Sequence, residues 1–115
     1  VPSHCALMHP AAERMRERLK QLKIETPRIP VLHNAHVQAE SNADAIRDAL
    51  VRQVESPVRW VETIQKMAAD GVDKLVECGP GKVLAGLNKR ISKETQTLSV
   101  YDPETLRQAR AALGA

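Results

Sequence analysis

Residues Val72 to Tyr101 read VDKLVECGPGKVLAGLNKRISKETQTLSVY, a strand, a glycine turn, a helix and a second strand in succession. Val72 to Cys78 reads as a strand. Gly79-Pro80-Gly81 turns the chain, and Val83, Leu84, Leu87 and Ile91 then recur at helical spacing. Thr97 to Tyr101 reads as the next strand. Strands alternating with helices predict an α/β fold, a mostly parallel sheet with covering helices.

Working outward, Asp102 and Pro103 cap a last helix through Leu106, Ala109 and Leu113. Upstream, Pro10 to Lys23 is a helix whose apolar stripe is Met8, Ala12, Met15, Leu19 and Leu22. Thr26 to Pro30 punctuates, and Ile29 to Ala35 reads as a short buried strand. Ser41 or Asn42 caps a second helix with Ile46, Ala49, Leu50 and Gln53 on one face, which Pro57 ends. Ser56 and Pro57 then read as the N-cap and first position of a third helix, with Val61, Ile64 and Ala68 inside and Gly71 at its end. The strands are few for a complete doubly wound sheet, so more of it is expected outside these residues.

At 115 residues the chain suits one compact domain. A hydrophobic content of 43% and a charged content of 27% are ordinary for a globular protein. No apolar stretch is long enough to span a membrane, and no signal peptide is visible. The chain lacks an initiator Met, which suggests a piece of a longer polypeptide. A net charge of +3 with only Trp60 and Tyr101 as aromatics offers no stacking platform for single-stranded nucleic acid. Cys5 and Cys78 form no CxxC pair, and a reduced, cytoplasmic protein is the expectation.

Five features bear on chemistry. His4 precedes a helix on a loop, where an imidazole can take and return a proton; the plainer reading is a surface histidine. Gln53 lies near a helix C-terminus, whose last carbonyls lack helical partners and whose dipole favours a nearby imidazolium. A histidine N–H can satisfy such a carbonyl, and the alternative is a solvated glutamine. The Gly79-Pro80-Gly81 turn can aim N–H groups at an anion, although a tight strand-to-helix turn needs the same glycines. His33 and His36, with His9 and Cys5, raise a metal site. On an extended segment, however, the two rings of HxxH face opposite ways, so no metal is expected. The basic side chains Arg14, Arg16, Arg18, Lys20 and Lys23 make either a solvated face or a guide for an acidic protein.

Four segments occur in order: Val1-Pro2-Ser3-His4-Cys5-Ala6-Leu7-Met8, Ala45-Ile46-Arg47-Asp48-Ala49-Leu50-Val51-Arg52-Gln53, Pro57-Val58-Arg59-Trp60 and Glu77-Cys78-Gly79-Pro80-Gly81-Lys82-Val83-Leu84. Together they resemble bacterial malonyl-CoA:acyl carrier protein transacylases of fatty acid synthesis, over essentially the whole chain. The resemblance implies that residues 1–115 are the C-terminal segment of the large subdomain of an α/β-hydrolase-like acyltransferase core. The nucleophile-bearing part and a ferredoxin-like subdomain would lie upstream. It implies a serine ester intermediate, His4 as general acid/base and the backbone carbonyl of Gln53 orienting it. Malonyl-CoA would be a substrate rather than a cofactor, with none otherwise required. The partners implied are acyl carrier protein and the missing N-terminal part, with no nucleic acid and no membrane. This chain has no GxSxG serine, so alone it is expected to be inactive. Related polyketide acyltransferase domains vary the residues just before this histidine with extender unit, so the small Ser3 leaves malonyl specificity open. Two further readings remain: a small α/β module binding a phosphorylated ligand at the glycine turn, and a nucleic-acid-binding module resting on charge alone.

Overall fold

The computed structural model describes residues 2–115; Val1, the first residue of the histidine motif, lies outside them. The chain divides into two compact units, one ending at Thr63 and the other running Ile64–Ala115.

In the first unit a 3-10 turn, Ala6–Met8, leads into α1 (His9–Lys20). A two-residue hairpin follows, β1 (Leu32–His33) antiparallel to β2 (Gln38–Ala39), and then α2 (Ala43–Glu55). Asn42 caps α2, its side chain accepting from the N–H groups of Asp44 and Ala45 at 2.8 and 3.2 Å. α1 ends at Lys20 rather than Lys23, in a tightened last turn where Gln21 N–H meets the Arg18 carbonyl and Leu22 N–H the Leu19 carbonyl, each at 3.2 Å. Arg47, from α2, donates through Nε to the Leu19 carbonyl at 3.1 Å and through Nη2 to the Leu22 carbonyl at 2.8 Å. Its Nη1 is held by Asp44 at 2.9 Å. At the other end of the pair, His9 of α1 meets Glu55 of α2, so the two helices run antiparallel. Ala12, Ile46, Ala49 and Val51 are buried.

The expected strand Ile29 to Ala35 is mostly irregular. Pro27 and Pro30 have no N–H to give a ladder, and Val37 takes φ +57°, folding residues 34–37 into a turn closed by Val37 N–H on the His33 carbonyl at 2.8 Å. The third helix, α3 (Trp60–Ala69), starts later than Pro57. The Arg59 N–H is taken by the Asn34 carbonyl at 3.0 Å, and the first helical bond runs from Thr63 N–H to the Arg59 carbonyl. Ile64 is buried as expected, but Val61 is exposed, and Thr63 is the residue buried beside Ile64, its hydroxyl on the Arg59 carbonyl.

α3 crosses into the second unit and closes on Gly71, at φ +92°, with Gly71 N–H on Ala68 and Val72 N–H on Met67. These two bonds satisfy the final carbonyls through a left-handed residue. There β3 (Lys74–Cys78) and β4 (Gln96–Val100) pair in parallel, in the register Lys74–Gln96 to Cys78–Val100, with α4 (Val83–Ile91) connecting them. Gly79, at φ +152°, makes the turn off β3 while its N–H still reaches the Val100 carbonyl. The α/β architecture with a parallel strand pair is therefore as read, while the upstream strand pairs antiparallel in a sheet of its own. α5 (Pro103–Leu113) packs on β4 and starts at a reciprocal cap between Asp102 and Thr105. The stripe expected to be inside α4 is largely outside: Val83, Leu84 and Leu87 are exposed, whereas Ala85 and Asn88 are buried.

Arg47→Ala should lower the unfolding free energy of the protein by about 1–2 kcal/mol, as charged hydrogen bonds to the Leu19 and Leu22 carbonyls are lost. Arg47→Lys should recover less than half, since one ammonium cannot repeat the fork. Denaturant unfolding of both variants checks this.

Candidate functional site

The helix that carries Gln53 cannot use its carbonyl. An α-helix bonds each C=O to the N–H four residues on, and here that residue is Pro57, which has none. The chain has also left helical geometry by then, with Ser56 extended at φ −110° and ψ 148°. The donor comes from the loop before α1: His4 Nδ1 lies 2.8 Å from the Gln53 oxygen. A carbonyl only accepts, so Nδ1 carries the proton and donates. In the neutral ring Nε2 is then the basic atom. His4 is exposed, so that atom is open to a reacting group.

His4 sits at φ +55°, in the left-handed region. Such a backbone costs a non-glycine residue about 1 kcal/mol, and histidine is among the residues found there more often than most. The turn that follows is closed by Met8 N–H on the Cys5 carbonyl at 2.9 Å, and the 3-10 segment packs on both α1 and α2. The strained residue therefore sits between a tight turn and a carbonyl that needs a donor.

The glycine turn does not present a free anion site. The first-turn N–H groups of α4 already hold an anion from the chain itself: Glu77 accepts from Ala85 N–H at 2.8 Å and from Leu84 N–H at 3.4 Å. Lys82, beside the turn, lies over the Tyr101 ring with its ammonium 4.8 Å from the ring centre. Tyr101, first through a side-chain hydrogen bond and then through charge, holds the Lys82 pKa above its ordinary value. The lysine and the N–H groups that would bind a phosphate are thus engaged with partners in the same unit.

His33 and His36 depart from expectation. Their rings do not face opposite ways but stack, with centres 5.6 Å apart and planes 15° from parallel. The reason is the turn between them, which breaks the alternation of an extended strand. His36 Nε2 donates to Glu40 at 3.0 Å, while its Nδ1 is buried without a partner. His33 is buried, and burial first, then the charge of His36, lowers its pKa against a smaller opposing pull from Glu40. His9 is engaged with Glu55. Among the described residues no group of three or more His, Cys, Asp or Glu is gathered for a metal ion. On α1 the basic face is largely paired: Arg16 with Glu13, Lys20 with Glu17, and Arg18 with Gln21. No helix among the described residues is long and apolar enough to cross a membrane.

No protein-family model matches the chain. It is similar to the malonyl CoA-acyl carrier protein transacylase of Haemophilus influenzae, 59% identical over 102 residues that make up 89% of this chain and 33% of that protein. An acyl carrier protein S-malonyltransferase from Vibrio cholerae, solved by crystallography, is 50% identical and superposes with a TM-score of 0.91 over 95% of this chain and 36% of that one. A malonyl-transacylase solved in complex with a type II polyketide acyl carrier protein is 46% identical, with a TM-score of 0.94 over 97% of this chain and 36% of that one. The chain spans about a third of the length of the curated relatives it matches.

Two outcomes follow from the geometry. His4→Gly should be more stable than His4→Ala by about 1 kcal/mol, because a positive φ penalises alanine; equal unfolding midpoints would contradict the left-handed assignment. The lowered His33 pKa means that the folded state binds fewer protons than the unfolded one around the ordinary value of 6.5. Its stability contribution is complete above that pH and is lost as pH falls through the lowered folded value. Urea midpoints at pH 7.5 and pH 5 should therefore differ less in His33→Asn than in the unmodified protein.

Proposed function

We propose that this chain, which corresponds to the C-terminal part of the malonyl CoA-acyl carrier protein transacylases, supplies the acid/base half of a malonyl transfer centre. The complete protein would move malonyl groups from malonyl-CoA to the phosphopantetheine thiol of acyl carrier protein, in fatty acid synthesis in the cytoplasm. The observation that carries the reading is the 2.8 Å bond from His4 Nδ1–H to the Gln53 carbonyl.

The chemistry assigned to the residues is as follows. His4 Nε2 takes the proton of a serine hydroxyl contributed by the N-terminal part as that oxygen attacks the malonyl thioester. The thioester C–S bond breaks, and the proton passes from His4 to the departing CoA sulfur. In the second half His4 takes the proton of the carrier thiol, the thiolate attacks the serine ester, and the proton returns to the serine oxygen. Throughout, the Gln53 carbonyl fixes the tautomer and the ring orientation. It stands where a carboxylate would stand in a Ser-His-Asp triad. The amide side chain of Gln53 has no part in this.

Residues 1–115 are read as one segment of a larger acyltransferase domain. The exposed apolar residues Val83, Leu84 and Leu87 on α4, and Leu106 and Leu113 on α5, support that reading, since apolar side chains gain from being covered. The alternative of a phosphate-binding module is disfavoured by Glu77, which already occupies the α4 N–H groups.

In the complete protein, His4→Ala should lower kcat for malonyl transfer by about 10²–10⁴-fold. Gln53→Ala should keep most of the rate, because its carbonyl remains. Near-normal turnover in His4→Ala would remove His4 from the mechanism. A Gln53→Ala loss as deep as that of His4→Ala would move the role from the carbonyl to the amide. This chain alone should show neither transfer nor saturable CoA binding, and saturation by CoA would favour the binding module.

A further inference from the structure

Two contacts join the same pair of chain segments on either side of the 3-10 turn. His4 precedes the turn and bonds to Gln53. His9 follows it, as the first residue of α1, and its Nδ1 lies 2.7 Å from Oε2 of Glu55, the last residue of α2. We propose that His9 and Glu55 form a positioning clasp that keeps the Gln53 carbonyl in register with the His4 imidazole. This rests on the reading of His4 as the acid/base of acyl transfer and adds two residues that touch no reacting atom.

The 3-10 segment holds the loop against α1 and α2, and the two partners of the His4–Gln53 bond lie at the margins of that packing. Gln53 lies in the last turn of α2, where intrahelical bonds run out. His4 lies on a loop in a left-handed conformation that favours relaxation. One N–H···O bond leaves the carbonyl free to tilt and the ring free to swing about it. A second bond between the same two segments, two residues beyond Gln53 and across the 3-10 turn from His4, restricts that freedom. The need is strict, since a displacement of about 1 Å at a reacting group can cost on the order of 10²-fold in rate. The Glu55 carboxylate accepts the Nδ1–H of His9 whether that ring is neutral or cationic. The His9 side chain is 64% exposed and that of Glu55 27%. A contact so open to solvent contributes little to global folding, so its loss should leave the fold intact and act on alignment.

The test uses the complete protein with Glu55→Ala, His9→Ala, the double variant, His9→Lys and His4→Ala. Loss of the clasp should lower kcat for malonyl transfer by about 3- to 10-fold in each single variant, on the scale of a sub-ångström misalignment. KM for malonyl-CoA should not change, and the double variant should fall no further than the singles. His9→Lys, which keeps a donor opposite Glu55, should restore at least half of the rate. Unmodified kcat in both alanine variants, a change in KM in place of kcat, or a His9→Lys rate no better than that of His9→Ala would each overturn the clasp. If His4→Ala stays active, the reading of His4 fails and takes the clasp with it. If His4→Ala is inactive while Glu55→Ala runs at the unmodified rate, the clasp alone fails.

Discussion

Every α-helix leaves unpaired N–H groups at its start and unpaired carbonyls at its end, and the ordering of this chain turns on how those groups find partners. Asn42 and Asp102 supply the starts of α2 and α5 from within the local sequence. Glu77 supplies the start of α4 from the preceding strand. The ends of α1 and α2 are different, because each also takes a side-chain donor from beyond its own helix. Arg47 of α2 reaches the Leu19 carbonyl at the end of α1 and the Leu22 carbonyl just beyond it, and His4, ahead of α1, reaches the carbonyl of Gln53 at the end of α2. The antiparallel pair is thereby tied at both ends by side chain to backbone bonds.

One of those ties is also the proposed centre of the chemistry. A carbonyl freed by Pro57 has no use within its own helix, and the imidazole that satisfies it has its tautomer decided by the same bond. Structural need and chemical use coincide in a single hydrogen bond. A backbone acceptor, unlike a carboxylate, cannot be altered by changing its own side chain. Its alignment depends instead on what holds the helix end, which gives weight to the His9–Glu55 contact two residues beyond Gln53. In the proposed reading the chain supplies half of a centre, and the relatives it matches are about three times as long. The exposed apolar faces of α4 and α5 are where a fragment of a larger domain would be expected to be incomplete.

Much of this was legible in the residues. The strand–turn–helix–strand of Val72 to Tyr101, the Asp102-Pro103 start and the stop at Gly71 are local signals, and the structure follows them. The meeting of His4 with Gln53 was legible only through the family resemblance together with the free carbonyl, because no local pattern links residues so far apart. What escaped was tertiary. Arg47 reads as one more charge on a solvated helix, and only the folded pair shows it bonded to the Leu19 and Leu22 carbonyls. The prolines before Leu32 and the turn at Val37 replaced a strand with a short hairpin and brought His33 onto His36, against the alternation of an extended chain. The Pro57 signal for a helix start gave way to Asn34, whose carbonyl claims the Arg59 N–H. The apolar spacing on α4 was real, but spacing cannot say whether the covering surface lies in the same stretch of chain.

The proposed role of His4 depends most directly on which of its nitrogens carries the proton. Nitrogen-15 NMR of the complete protein with labelled histidine, at a pH where the ring is neutral, reads this without reference to turnover. Protonated Nδ1 with unprotonated Nε2, and a cross-hydrogen-bond coupling from Nδ1 to the Gln53 carbonyl carbon, is the predicted result. A neutral ring protonated at Nε2 would contradict it, since Nδ1 could not then donate to the carbonyl and Nε2 could not accept a proton from a nucleophile.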